Sequence, residues 1–99
     1  MKVKITVRNM YEYIDIRFDT DTGRFLVNGI ESKHDPKECL SKLQLIVASW
    51  RLSMIDDTVI DGEEYSVTMV MGDKVREYIG RNSFPMNYPE FKKFIKDYV

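Results

Sequence analysis

Residues 2–18 read KVKITVRNMYEYIDIRF, two alternating runs either side of Asn9-Met10. Strict alternation is the mark of a half-buried strand. Pairing Lys2–Asn9 with Tyr11–Phe18 through a two-residue loop sets Arg8 opposite Tyr11, Ile5 opposite Ile14 and Val3 opposite Ile16. One face then collects Val3, Ile5, Val7, Ile14, Ile16 and Phe18. The other collects Lys2, Lys4, Arg8, Tyr11, Tyr13 and Arg17, with Asp15 as its acid. A slip of one residue would mix the two sets, so their separation fixes which side of the hairpin meets a core.

The sequence continues the same sheet. Thr20-Asp21-Thr22-Gly23 is a loop leading to a third strand, Arg24 to Asn28, whose Phe25 and Val27 join the apolar face; Gly29 ends it. Asp35-Pro36-Lys37-Glu38 is a helix start, with Asp35 to cap, Pro36 at the first helical position and Glu38 to complete a capping box. The helix is expected to run to about Ile55, roughly 30 Å. Cys39, Leu40, Leu43, Ile46, Val47, Trp50 and Met54 form one stripe along it. Leu45, Ala48, Leu52 and Ile55 form a second, to be covered by the last helix or by a second copy of the chain.

Asp61-Gly62 marks a turn. Glu64–Met71 alternates, with Tyr65, Val67, Met69 and Met71 on one face. A two-residue loop after it would set Met71 beside Lys74 and Met69 beside Arg76. The expected loop is therefore Gly72-Asp73-Lys74, with Met71 opposite Val75 and Val67 opposite Ile79. That register places Lys74, Arg76 and Tyr78 on the open face. Asn87-Tyr88-Pro89-Glu90 starts a second helix, whose Phe91, Phe94, Ile95 and Tyr98 share one side. The expectation is a single α+β domain over residues 1–99: an antiparallel five-stranded sheet, order βββαββα, with two helices on one face.

Tryptophan late in a helix, then Asp-Gly, an aromatic-led strand and Gly-x-Asn-x-x-Pro before an aromatic helix make a further pattern. Its residues are Trp50, Asp61, Gly62, Tyr65, Val67, Gly80, Asn82, Pro85, Tyr88 and Phe91. In them the second half resembles small uncharacterised bacterial domains. The resemblance implies a bacterial or phage origin and an accessory gene. It carries no activity and no site residues.

Composition narrows the functional classes. The 99 residues are 43% hydrophobic, with a formal net charge of −1. Residues Met1 to Met10 alternate lysine with valine, so no signal peptide is expected, and no run reaches the roughly 20 apolar residues a bilayer requires. The expected setting is soluble and cytoplasmic, with no membrane partner. Cys39 and His34 are each the one residue of their kind. They make neither a disulfide framework nor a zinc site of the usual type, and no cofactor is expected. His34 precedes the helix cap without a marked nucleophile or acid, and Cys39 lies on the apolar stripe, so no catalytic residue is assigned. Asp19-Thr20-Asp21-Thr22-Gly23 lacks the rest of a calcium loop. Asp56, Asp57, Asp61, Glu63 and Glu64 make an acidic cluster that could hold a hard cation or a basic partner; a solvated connection is the favoured reading.

The open sheet face is the functional candidate. Lys2, Lys4, Arg8, Arg17, Arg24, Lys74 and Arg76 against Asp15 alone give it a charge of about +6. Tyr11, Tyr13 and Tyr78 share it. The expected function is therefore non-enzymatic binding to a protein partner, with contact through Lys4, Arg8, Tyr11, Tyr13, Arg76 and Tyr78. An inhibitor or modulator of a host machine, of the anti-CRISPR type, is the role that size and style suggest. The alternative is nucleic-acid binding, in which cations meet phosphates and rings stack on bases. The bland alternative is that Lys, Arg and Tyr simply suit exposed strand positions. A homo-oligomer built on Leu45 and Leu52 is a third possibility.

Overall fold

The computed structural model describes residues 1–58 and 62–99. Among them, seven strands and two helices follow one another as β1 (Lys2–Arg8), β2 (Tyr13–Asp19), β3 (Phe25–Val27), β4 (Ile30–Glu31), α1 (Pro36–Val47), β5 (Ser53–Ile55), β6 (Glu64–Met71), β7 (Lys74–Arg81) and α2 (Tyr88–Lys96). The strands form one sheet in the order β4-β3-β2-β1-β6-β7-β5. The fold is α+β, but the sheet is mixed and larger than five antiparallel strands: β5 runs parallel to β7, and β4 adds a two-residue edge.

β1 sits centrally, paired antiparallel with β2 and β6. Val3, Ile5 and Val7 meet Phe18, Ile16 and Ile14 on one side and Met69, Val67 and Tyr65 on the other. Both helices bury their apolar stripes against this face, α1 through Cys39, Leu43 and Val47, α2 through Phe91, Phe94 and Ile95. Full burial of each large side chain here contributes about 1.5–3 kcal/mol relative to exposure.

The first hairpin differs from expectation by two residues. Arg8 faces Tyr13, Ile5 faces Ile16 and Val3 faces Phe18. Residues 9–12 form the loop, because Asn9 holds it: its Oδ1 accepts from the Tyr11 and Glu12 amides at 2.8 and 3.0 Å. An even shift leaves every side chain on its expected face. Tyr11, however, leaves the sheet for the loop tip.

The first helix is shorter than expected. Asp35 caps it, accepting from the Lys37 amide at 2.9 Å, while Glu38 pairs with Lys42 instead of closing a box. It ends at Val47 because its sequel is needed elsewhere. The Trp50 ring packs edge-on to Tyr65 and Phe91, and its Nε1 donates to Asn87 Oδ1 at 2.6 Å. Asn87 Nδ2 in turn donates to the Ile46 carbonyl at 2.8 Å, tying the end of α1 to the start of α2. Beyond Trp50 the chain joins the sheet edge, where the Ile79 amide donates to the Leu52 carbonyl and the Asp56 amide to the Arg81 carbonyl. Leu45 and Leu52 therefore share no helical stripe, and both stay exposed.

The last hairpin closes through the two-residue loop, Gly72-Asp73, not the three-residue one. Met71 faces Lys74, Met69 faces Arg76, Val67 faces Tyr78 and Tyr65 faces Gly80. Gly72 takes φ +61°, the positive value that a II′ turn requires at its first central residue. The decisive contact is at the far end. A Cβ on Gly80 would lie 2.0 Å from the Tyr65 ring. A large flat side chain thus rests on bare backbone, and that fixes the pairing.

Gly80→Ala is expected to destabilise the fold by about 1–3 kcal/mol in urea unfolding, through overpacking against the ring. Combining it with Tyr65→Leu should cost less than the two changes summed. Tyr65→Phe should cost nothing or stabilise by about 1 kcal/mol, since the buried Tyr65 hydroxyl has no hydrogen-bond partner among the described residues.

Candidate functional site

The sheet face opposite the helices is uncovered. Its β1 and β2 residues behave as expected: Lys2, Lys4, Arg8, Tyr13 and Arg17 are exposed. The second hairpin does not. In the two-residue register, Val75, Glu77, Ile79 and Arg81 face outward beside Val70, Thr68, Ser66 and Glu64. Lys74, Arg76 and Tyr78 turn to the helix side, where Tyr78 is buried against Trp50. Of the six contact residues, the structure brings together Lys4, Arg8 and Tyr13. It sets Tyr11 at a loop tip and puts Arg76 and Tyr78 on the other side of the sheet.

The same change alters the charge. It brings Glu77 and Arg81 to the face, which also carries Glu64 on β6, Glu31 on β4 and Asp19 opposite Lys2, and its arginines are matched. Glu64 takes Arg8 at 2.7 Å and Arg81 at 3.1 Å. Arg24 meets Glu31 at 2.8 Å. Arg17 meets Asp15 at 3.0 Å, and this hydrogen bond holds the mostly buried Asp15 carboxyl below its usual range. The expected surplus of about +6 is not there. Lys2 and Lys4 remain, in no ion pair among the described residues.

Those two lysines flank a depression of about 410 Å³ over β3, β2, β1 and β6, with Leu26, Val70, Arg17, Arg24 and Asp19 in its lining. A second depression, about 420 Å³, lies over β1, β6 and β7. It is floored by Thr6, Ser66 and Thr68, and the Thr6 and Ser66 hydroxyls are hydrogen-bonded to each other. Leu26 and Val70 were legible as surface positions, since they alternate with the buried Phe25 and half-buried Met69. Glu77 and Ile79 required the correct turn.

The groups considered for chemistry have structural employment. Cys39 is fully buried and its thiol is pushed up to about 12 by desolvation, so it is not a thiolate at neutral pH. The His34 ring packs against Phe25 and Tyr98, with centroids 5.3 and 4.9 Å away. In the acidic cluster, Asp61 lies outside the described residues. Asp56 accepts from Thr58, and Asp57 meets Arg81 at 3.4 Å. Glu63 accepts from Lys92 Nζ at 2.6 Å, from Asn9 Nδ2 at 2.7 Å and from the Tyr88 hydroxyl. Among the described residues, no group of three or more His, Cys, Asp or Glu is arranged to hold a metal ion. No helix among them is long and apolar enough to cross a membrane.

The class so defined is an α+β domain with helices under one face of its sheet and an exposed polar face above. Compared with family models, curated proteins and solved structures, the chain matches none.

Glu63 makes a pH prediction. Burial pushes its carboxyl up, but the Lys92, Tyr88 and Asn9 hydrogen bonds outweigh this and hold it below the usual range. A depressed folded pKa stabilises fully above the unfolded value of about 4.3 and is lost as pH falls through the folded value. Glu63→Gln should cost about 1–3 kcal/mol at pH 7. Its stability should then fall less steeply than the parent's below pH ~5, measured by urea unfolding at several pH values.

Proposed function

We propose that this chain is a non-enzymatic binding protein that docks an acidic surface of a protein partner onto its open sheet face and acts by occupying that surface, as an inhibitor or modulator. The observation that carries this reading is the depression beside Lys2 and Lys4. It joins apolar side chains, Leu26 and Val70, to two cations that form no salt bridge among the described residues, although Asp19 stands opposite Lys2 and Lys4 acts on the Asp15 carboxyl through space. Apolar area supplies the burial; cations outside any salt bridge supply orientation and favour an acidic counterpart. Tyr13 and the paired Arg8 lie on the same face and extend the contact along β1 and β2.

Support for the nucleic-acid alternative is weaker after the second hairpin is placed. Four arginines of the face already hold carboxylates, and Tyr78 is buried. Phosphate tracking needs free cations in a row, and base stacking needs exposed rings. Lys2, Lys4 and Tyr13 are what remains for it.

The test is a Lys2→Glu, Lys4→Glu double variant. Partner capture from cell extract by the parent should weaken by roughly tenfold or more in the variant, as expected for charge reversal at a contact. Lys33→Glu, Lys37→Glu, remote from the face, should capture normally. Equal capture by the face variant would dismiss the site. A labelled single-stranded oligonucleotide that binds the parent, with affinity falling steeply as salt rises, would turn the reading to nucleic acid.

A further inference from the structure

β7 is only partly covered on its outer side. Its pairing with β5 involves Ile79, Gly80 and Arg81, and stops there. The two-residue turn decides which backbone groups this leaves open. With Met71 and Lys74 as the closing pair, the amides and carbonyls of Lys74, Arg76, Tyr78 and Gly80 point toward β6. Those of Val75, Glu77, Ile79 and Arg81 point outward. The bonds from the Ile79 amide to Leu52 and from Asp56 to the Arg81 carbonyl show this direction. Val75 and Glu77 lie on the same outward side, with no strand against them among the described residues. Lys74, Val75, Arg76 and Glu77 are all exposed.

The geometry points to this edge as a strand-addition site, taking an extended segment of a partner protein with acidic side chains at alternate positions. The incoming strand would follow the line of β5, one end beside Leu52. Backbone bonds to Val75 and Glu77 would supply affinity, and alternate side chains would supply selectivity. On the helix side those side chains would meet Lys74 and Arg76, which belong to no ion pair among the described residues and border a depression of about 540 Å³ with Met69 and Met71 in its lining. On the open side they would meet Val75, an exposed apolar residue, and Glu77, whose carboxylate accepts from Thr68 at 3.1 Å, so that side favours apolar side chains and the acidic ones belong on the helix side.

Charge selects this occupant over a second copy of the chain. Two β7 edges related by a two-fold axis through Arg76 would set Arg76 against itself. An axis through Val75 would set Lys74 against Arg76. Like charges directly opposite in a sheet repel. Cations at an edge exclude self-pairing, and the same cations attract a carboxylate-bearing strand.

The probe is a capped hexapeptide alternating valine and glutamate, titrated into the isotopically labelled chain and followed by amide NMR. Saturable binding is expected, with hydrogen exchange at the Val75 and Glu77 amides slowed tenfold or more. A peptide with lysine in place of glutamate should not bind the parent but should bind Lys74→Glu, Arg76→Glu, which in turn should lose the glutamate peptide by tenfold or more. The edge is independent of the open-face depression, so Lys2→Glu, Lys4→Glu should keep the peptide. The proposal is overturned by no binding, by equal binding of both peptides to the parent, by binding that leaves Val75 and Glu77 unprotected, or by loss of the peptide in the Lys2, Lys4 variant.

Discussion

The ring of Tyr65 lies across the backbone at Gly80, where no Cβ can fit. Once those two residues are opposite each other, every pair back to the turn follows, through Val67 with Tyr78 and Met69 with Arg76 to Met71 with Lys74. Strand parity then leaves no freedom. Tyr78 enters the core beneath Trp50, two cations pass to the helix side, and Glu77 and Arg81 reach the open face. A single aromatic contact thus determines the charge of a surface at the opposite side of the sheet. It also determines which amides of β7 look outward.

The aromatic cluster around that contact holds the helices as well. Trp50, Tyr65, Tyr88 and Phe91 pack ring to ring, with centroids of Trp50 and Phe91 4.9 Å apart and those of Tyr65 and Tyr88 5.3 Å apart. Asn87 and Glu63 supply its polar ties, one from Trp50 to the end of α1, the other from Lys92 and Tyr88 to the first hairpin. The sheet's first three strands owe little to this cluster. They are held by β1 at the centre and by Phe18 and Phe25, stacked at 5.2 Å.

Much of this was legible in the residues. The alternation of β1 and β2 placed every side chain that stays in the two strands on its correct face even though the loop was two residues longer and took Tyr11 out of the sheet, because face assignment depends on parity alone. Asp35 and Pro36 located the start of α1. The second hairpin misled for a physical reason: local apolar matching favoured pairing Met71 with Val75, whereas the fold accepts Lys74 and Arg76 beside methionines because both cations are exposed at a partly open edge. Matching by hydropathy cannot register that a glycine is present to receive a tyrosine ring. The end of α1 was hidden likewise, since nothing from Ala48 to Ile55 breaks a helix; Trp50 and the edge of β7 compete for the segment only in three dimensions. Of the proposed contact residues, those on β1 and β2 kept their face and those on β7 changed it.

The register of β6 and β7 is the claim on which the rest stands, and Hα–Hα nuclear Overhauser contacts read it directly. In an antiparallel ladder they are strongest across pairs that exchange no backbone hydrogen bonds. The structure predicts cross-peaks between Thr68 and Glu77 and between Ser66 and Ile79. Cross-peaks joining Val70 to Arg76 and Thr68 to Tyr78 would contradict it, returning Tyr78 and Arg76 to the open face and turning the Val75 and Glu77 amides toward β6, which removes the basis of the edge site.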